Sequence, residues 1–160
     1  LKLEALDRTT HDVAAFDSGV EACNSDLVSQ SNKIRNRCQV LSEGSTILAF
    51  GRYSIVVSGP KKDLTPLVRI DYLARDLTSP AGTGTDMLIH LFRTIANDER
   101  THDCKGVLID CLNCGDAKQT ARRWSYFTEK VGFRSIDGDP NAVSGYAFLP
   151  MVIVRAYAAA

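Results

Sequence analysis

Several things are scarce in this chain, and each scarcity excludes something. No apolar run approaches the ~18–20 residues of a membrane-spanning helix. The formal net charge is zero, 19 basic against 19 acidic residues, so nothing draws the whole molecule to nucleic acid, and any RNA partner must be met by a local patch. Histidine is sparse, and His11, His90 and His102 lack the spacing of metal ligands. The five cysteines, Cys23, Cys38, Cys104, Cys111 and Cys114, are an odd, scattered set that reads as reduced thiols rather than a disulfide framework. Cys111 and Cys114 form a C-x-x-C, but no second pair completes a zinc site, so no metal is expected. Repeats, linkers and low-complexity tracts are lacking too. The segment LKLEALDR is neither a secretory signal nor a basic targeting helix, and the chain reads as cytoplasmic and without a membrane partner. What is there is 160 residues with 44% hydrophobic content, enough to bury a core as one domain spanning residues 1–160.

The informative stretch is Val68 to Leu91, VRIDYLARDLTSPAGTGTDMLIHL. A β-like run ends at Arg75–Asp76, a short loop carries SPAGTG, and apolar residues then recur at Met87, Leu88, Leu91, Phe92 and Ile95. That order is strand, glycine-containing loop, amphipathic helix. Gly82 and Gly84 free the backbone to expose successive N–H groups, and the dipole and unpaired amides of the helix start attract an anion. The stretch is built to hold a phosphate.

Around it, Leu1–Leu6 alternates as a first strand, and Thr9 or Thr10 can cap a short helix through Ala15. Asp17 or Ser18 offers a cap for a helix over Val20–Ser31. Cys38–Leu41 and Thr46–Val57 flank Glu43-Gly44-Ser45 as a β-hairpin. Ser58–Pro66 reads as a loop, Leu67–Arg75 as a strand and Thr85–Glu99 as a helix. Gly106–Leu112 follows as a strand and Asp116–Val131 as a helix, and strands near Phe133–Ile136 and Gly145–Val154 close the chain. Strands alternating with helices predict an α/β (α+β) mixed central sheet flanked by helices.

This order, with the GxG loop and the helix ending YFTEKVGF, resembles the GNAT superfamily of acetyl-CoA-dependent N-acetyltransferases. In that family the cofactor loop has the form Q/R-x-x-G-x-G/A and the last helix commonly ends FYxxxGF. FDSGVEACNSDL (Phe16–Leu27), RIDYLARD (Arg69–Asp76) and YAFLPM resemble segments of one branch, the toxins of toxin–antitoxin pairs that acetylate aminoacyl-tRNA. The resemblance runs from about Phe16 to Met151.

The resemblance implies a GNAT fold with a splayed strand pair. Leu73, Ala74 and Arg75 would offer backbone groups to the pantetheine of acetyl-CoA, and Ala81, Gly82, Thr83, Gly84 and Thr85 would offer amides to its pyrophosphate. It further implies a tRNA partner, a ribbon-helix-helix antitoxin and a homodimer. Ser79 stands where the family prefers Gln or Arg, and Pro80 has no N–H to give. Counted back from Gly132-Phe133, the family's proton-donating Tyr falls on Thr128, a poor proton donor. Tyr126 and Asp110 are further candidates for proton transfer. Asp71 and Asn113 are candidates on the substrate side or in a relay, and Tyr72 is one on the substrate side. Lys33, Arg35 and Arg37 in NKIRNR form the leading basic patch for RNA, ahead of Lys61-Lys62 and Arg122-Arg123.

An α-amine with pKa near 7.7–8.0 is partly neutral at pH 7, whereas a lysine near 10.4 needs a base, and no base is evident here. The expected activity is therefore transfer of acetyl to the α-amino group of aminoacyl-tRNA. The alternatives are N-acetylation of a protein or small-molecule amine, and a catalytically impaired GNAT-fold protein that binds acyl-CoA or a partner.

Overall fold

The computed structural model describes residues 1–111, 116–139 and 141–160. In chain order the elements are β1 (Lys2–Ala5), α1 (Glu21–Ser31), β2 (Gln39–Glu43), β3 (Thr46–Ser58), β4 (Thr65–Arg75), α2 (Thr83–Asn97), a 3-10 turn (Glu99–Thr101), β5 (Gly106–Cys111), α3 (Ala117–Ser125), a π-turn (Tyr126–Val131), β6 (Arg134–Ser135), β7 (Gly145–Pro150) and α4 (Met151–Ala159). Among the described residues, seven strands run in the order β1-β2-β3-β4-β5-β7-β6. β1, β2 and β3 pair antiparallel in sequence, β4 and β5 pair parallel, and β7 lies antiparallel between β5 and β6.

The chain divides into two compact units, Leu1–Tyr53 with Asp71–Ile95, and Ser54–Ile70 with Ala96–Ala160. In the first, Leu6, Phe16, Cys23, Leu27, Cys38, Val40, Ile47 and Phe50 form a core against which Val20, Tyr72 and Ala74 pack. α2 is amphipathic at i, i+1, i+4, i+5 spacing, burying Met87, Leu88, Leu91, Phe92 and Ile95. Gly51 lacks a side chain where Leu91 packs, since a Cβ there would lie 2.5 Å from its Cδ1. The hairpin between β2 and β3 turns at Gly44, whose φ of 61° favours glycine.

In the second unit Val107, Ile109, Ala147 and Leu149 are buried along one face of β5 and β7. Phe127 meets Phe133 edge-on at 5.7 Å. Tyr157 of α4 donates to the carbonyl of Val131 at 2.9 Å.

Four expectations change. Residues 8–15 form turns, not a helix: Asp7 gathers the Thr9 amide and hydroxyl and its own carbonyl takes the His11 amide, so the local polar bonds close a turn instead. Met151–Val154 begins a helix rather than ending a strand. Pro150 stops β7 and fits a helix entry, the Met151 amide bonds the Lys105 carbonyl, and Met151 and Val154 are buried three residues apart. The helix expected over Asp116–Val131 widens into a π-turn at Tyr126. α1 itself starts at Glu21 with no side-chain cap on Val20, while Asp17 and Ser18 bind Asn24 instead.

Candidate acyl-transfer site

Asp76 holds the end of β4. Its carboxylate accepts the Asp17 amide at 2.8 Å and both the amide and hydroxyl of Thr78, at 2.8 and 2.6 Å. Burial pushes its pKa up, but these donors outweigh burial and hold it below the usual range. The backbone beyond is therefore fixed before the loop begins. Ser79 is buried and its hydroxyl donates to the Asp76 carbonyl at 2.7 Å. Arg75 reaches over the same loop and donates to the Ser79 carbonyl at 3.3 Å and hydroxyl at 3.4 Å.

The loop then turns through Gly82 at φ +92°, with nothing within 4 Å of where a Cβ would stand. α2 starts at Thr83, whose hydroxyl donates to the Pro80 carbonyl, and the first helical amide bond runs from Asp86 to Gly82. A Cβ on Gly84 would meet only the Arg75 side chain, at 3.6 Å. The exposed Arg75 guanidinium thus lies beside a helix start, bringing a cation that Ser79 cannot supply. The sequence reading assigned Arg75 for its backbone and missed this use of its side chain; an Arg four residues before Ser79 was the available signal.

Within the second unit the parallel ladder of β4 and β5 pairs Val68 with Val107, Arg69 with Leu108 and Ile70 with Ile109. Asp71–Arg75, including Leu73 and Ala74, continues β4 in the first unit. Asp71 is held by Arg52, which bonds Asp71 at 3.1 Å and grips Asp26 of α1 in a two-point contact at 2.8 and 2.7 Å. The same guanidinium lies 5.0 Å over the Tyr72 ring. Asp71 and Tyr72, expected on the substrate side, are thus parts of a partly buried network joining α1, β3 and β4.

Lys33, Arg35 and Arg37 are all exposed on the segment between α1 and β2. Asn36 between them anchors that segment, donating to the Leu6 carbonyl and accepting the Cys38 amide. Lys61, Lys62 and Arg122 are exposed as well.

In the second unit the Thr128 hydroxyl donates to the Trp124 carbonyl at 2.9 Å, so its proton is committed within its own helix. Thr128, placed by counting residues back from Gly132-Phe133, lies in the π-turn, where the amides of Gly132 and Phe133 both bond the Phe127 carbonyl. Tyr126 is half-buried and packs edge-on to Phe127 at 5.3 Å. Asp110 faces Tyr146 across the β5–β7 ladder. The charge of Asp110, then its hydrogen bond, raise the Tyr146 phenol above its ordinary range. Tyr146 was missed in the sequence because the register that pairs it with Asp110 joins strands far apart in the chain. Asn113 and Cys114 lie outside the described residues. Cys23, Cys38, Cys104 and Cys111 are buried; burial first, and then the charge of Asp26, push Cys38 up to about 12. No described helix is long and apolar enough to cross a membrane, and no group of three metal-ligating side chains is found among the described residues.

The architecture is the GNAT fold expected from the sequence. No family model matches the sequence. The chain is 28% identical over 172 residues to the probable toxin TacT of Sinorhizobium fredii strain NGR234, covering 96% of this chain and 92% of that protein. Its fold superposes on the KacTA–DNA complex (TM-score 0.74, 21% identity, 97% and 96% of the two chains). It also superposes on AtaT complexed with acetyl-methionyl-tRNAfMet (TM-score 0.71, 18% identity, 97% of each chain). A mutant AtaT toxin bound to the C-terminus of the antitoxin AtaR and acetyl-CoA matches at TM-score 0.72, with 19% identity over 97% and 96%. The resemblance to the toxin branch is borne out.

Proposed function

We propose that this protein is an acetyl-CoA-dependent N-acetyltransferase that acetylates the α-amino group of aminoacyl-tRNA, as the toxin of a toxin–antitoxin pair. The observation that carries it is the build of the end of β4 and its loop: a strand end fixed by Asp76, then a glycine turn into a helix start beside Arg75. Leu73, Ala74 and Arg75 would give backbone groups to pantetheine. Residues Ala81 to Thr85, with the Arg75 side chain, would hold the pyrophosphate. The likeness to proteins named for acetyl-CoA, acetyl-methionyl-tRNA and an antitoxin supports the same substrates and partner class here.

In the reaction the neutral amine attacks the thioester carbonyl and the C–N bond forms. The C–S bond breaks, the sulfur leaves with the electron pair, and the amine's extra proton passes to solvent or a relay. An α-amine with pKa ~7.7–8.0 supplies enough neutral form without a dedicated base. Lys33, Arg35 and Arg37 would meet RNA phosphates, and Asp110 with Tyr146 is the proton-relay candidate.

The commitment of the Thr128 proton to Trp124 favours a second reading, a GNAT-fold protein that binds acyl-CoA without efficient transfer. Radiolabelled acetyl-CoA offered with aminoacylated tRNA, uncharged tRNA, a peptide N-terminus and a polyamine separates these. Label in aminoacylated tRNA alone supports the proposal. Label only in the peptide or polyamine moves the activity to that acceptor, and binding without transfer to any favours the second reading.

A further inference from the structure

The sheet of the second unit has one sealed face and one open face. Residues paired across a ladder share a face, and alternate residues of a strand return to it. The pairs Arg69 with Leu108, Leu108 with Phe148, Asp110 with Tyr146 and Arg134 with Phe148 therefore put six side chains on one face. Arg69, Tyr146 and Arg134 are exposed and the other three are half-buried, whereas on the opposite face Val68, Ile70, Val107, Ile109, Ala147 and Leu149 are buried. The Phe148 ring edge and the Leu149 carbonyl occupy the space a Cβ on Gly106 would need. Tyr146 is 47% exposed despite its size. The Oδ1 of Asp110 is buried and finds no hydrogen-bond partner among the described residues. A buried carboxylate oxygen without a donor is costly, which marks a place where a donor from outside is expected.

We infer that this open sheet face receives the unpaired end of an RNA strand, with a base stacked on Tyr146, phosphates met by Arg69 and Arg134, and a base amino or ribose hydroxyl donating to Asp110. The inference rests on the aminoacyl-tRNA reading above and adds the surface that holds the RNA end. Aromatic rings on a sheet flanked by arginines suit a splayed single strand, whose bases stack on π-faces while cations follow the backbone. A second copy fits less well. A two-fold interface sets the patch against itself, opposing two arginines per copy with only one carboxylate each.

The test uses the full chain and a short 5′-fluorescent single-stranded RNA, read by anisotropy, with acetyl-CoA calorimetry and sedimentation on the same samples. Tyr146→Ala and Arg134→Glu should each weaken the RNA by roughly tenfold or more, with acetyl-CoA affinity unchanged. Tyr146→Phe keeps the π-face and should stay close to wild type. The inference is overturned if wild type does not bind the RNA, or if Tyr146→Ala and Arg134→Glu bind it as wild type does. It is also overturned if they lose affinity only by dissociating a dimer, which would assign the face to a second copy. Wild-type transfer to aminoacyl-tRNA, undiminished in variants that bind RNA normally, sinks the inference and leaves the proposed function standing. Transfer to a peptide or polyamine instead, with RNA binding lost in the variants, supports the RNA face and removes the proposed acceptor.

Discussion

At the scale of single residues, Gly84 separates the demands of folding from those of binding. Its φ is ordinary and a Cβ would meet only Arg75 at 3.6 Å, so Gly84→Asp should fold while placing a negative charge at the helix start. Calorimetry should show acetyl-CoA binding abolished; unchanged affinity in a folded variant would remove the site. The Thr128 hydroxyl proton is bonded to Trp124, so Thr128→Val should leave acetyl-CoA affinity intact and lower turnover by less than about tenfold. A fall of ~10²–10⁴ would instead make the hydroxyl the general acid. Arg52 grips the Asp26 carboxylate at two points and bonds Asp71, and those two side chains are only 9% and 6% exposed. Arg52→Ala removes these contacts and should cost about 3–5 kcal/mol in urea denaturation.

At the scale of elements, the joint between the end of β4 and the entry to α1 is made by Asp76, a residue whose carboxylate accepts from Asp17 and Thr78. Asp76→Asn keeps the shape and loses the charge, and should cost about 1.5–3 kcal/mol in the same assay. The pH dependence follows from the lowered pKa. The stabilisation is complete above the unfolded-state value of ~3.9 and is lost as pH falls through the lower folded-state value. Asp76→Asn should therefore flatten the acid limb of the stability profile, read from urea midpoints between about pH 5 and 2. Elements with strong periodicity were legible in the sequence. α2 follows from its apolar spacing, and the β2–β3 hairpin from Gly44. The helix at Met151 was not, since Met-Val-Ile-Val satisfies a strand pattern equally well and the Lys105 carbonyl that receives the Met151 amide is remote in sequence. The π-turn was hidden for a related reason: the widening shows only in which amides reach the Phe127 carbonyl.

At the scale of the whole molecule, zero net charge means that RNA binding must come from local patches. Lys33, Arg35 and Arg37 are exposed on an anchored segment. Reversing all three charges should weaken tRNA binding and flatten its salt dependence by roughly two to three log units per log unit of salt, since each phosphate contact contributes ~0.7–0.9. An unchanged slope would place the RNA elsewhere. The order of elements around the loop was readable because each has its own local signature. The pairing of Asp110 with Tyr146 and the gathering of Asp26, Arg52 and Asp71 were not, because they exist only once register and packing are set. The account's central claim is transfer of acetyl to the α-amine of aminoacyl-tRNA, and the most direct measurement is the mass of the charged 3′ end. After incubation with acetyl-CoA and nuclease digestion, the account predicts an aminoacyl-adenosine heavier by one acetyl group on its amino nitrogen. An unmodified aminoacyl-adenosine, from protein that demonstrably binds acetyl-CoA, would contradict it.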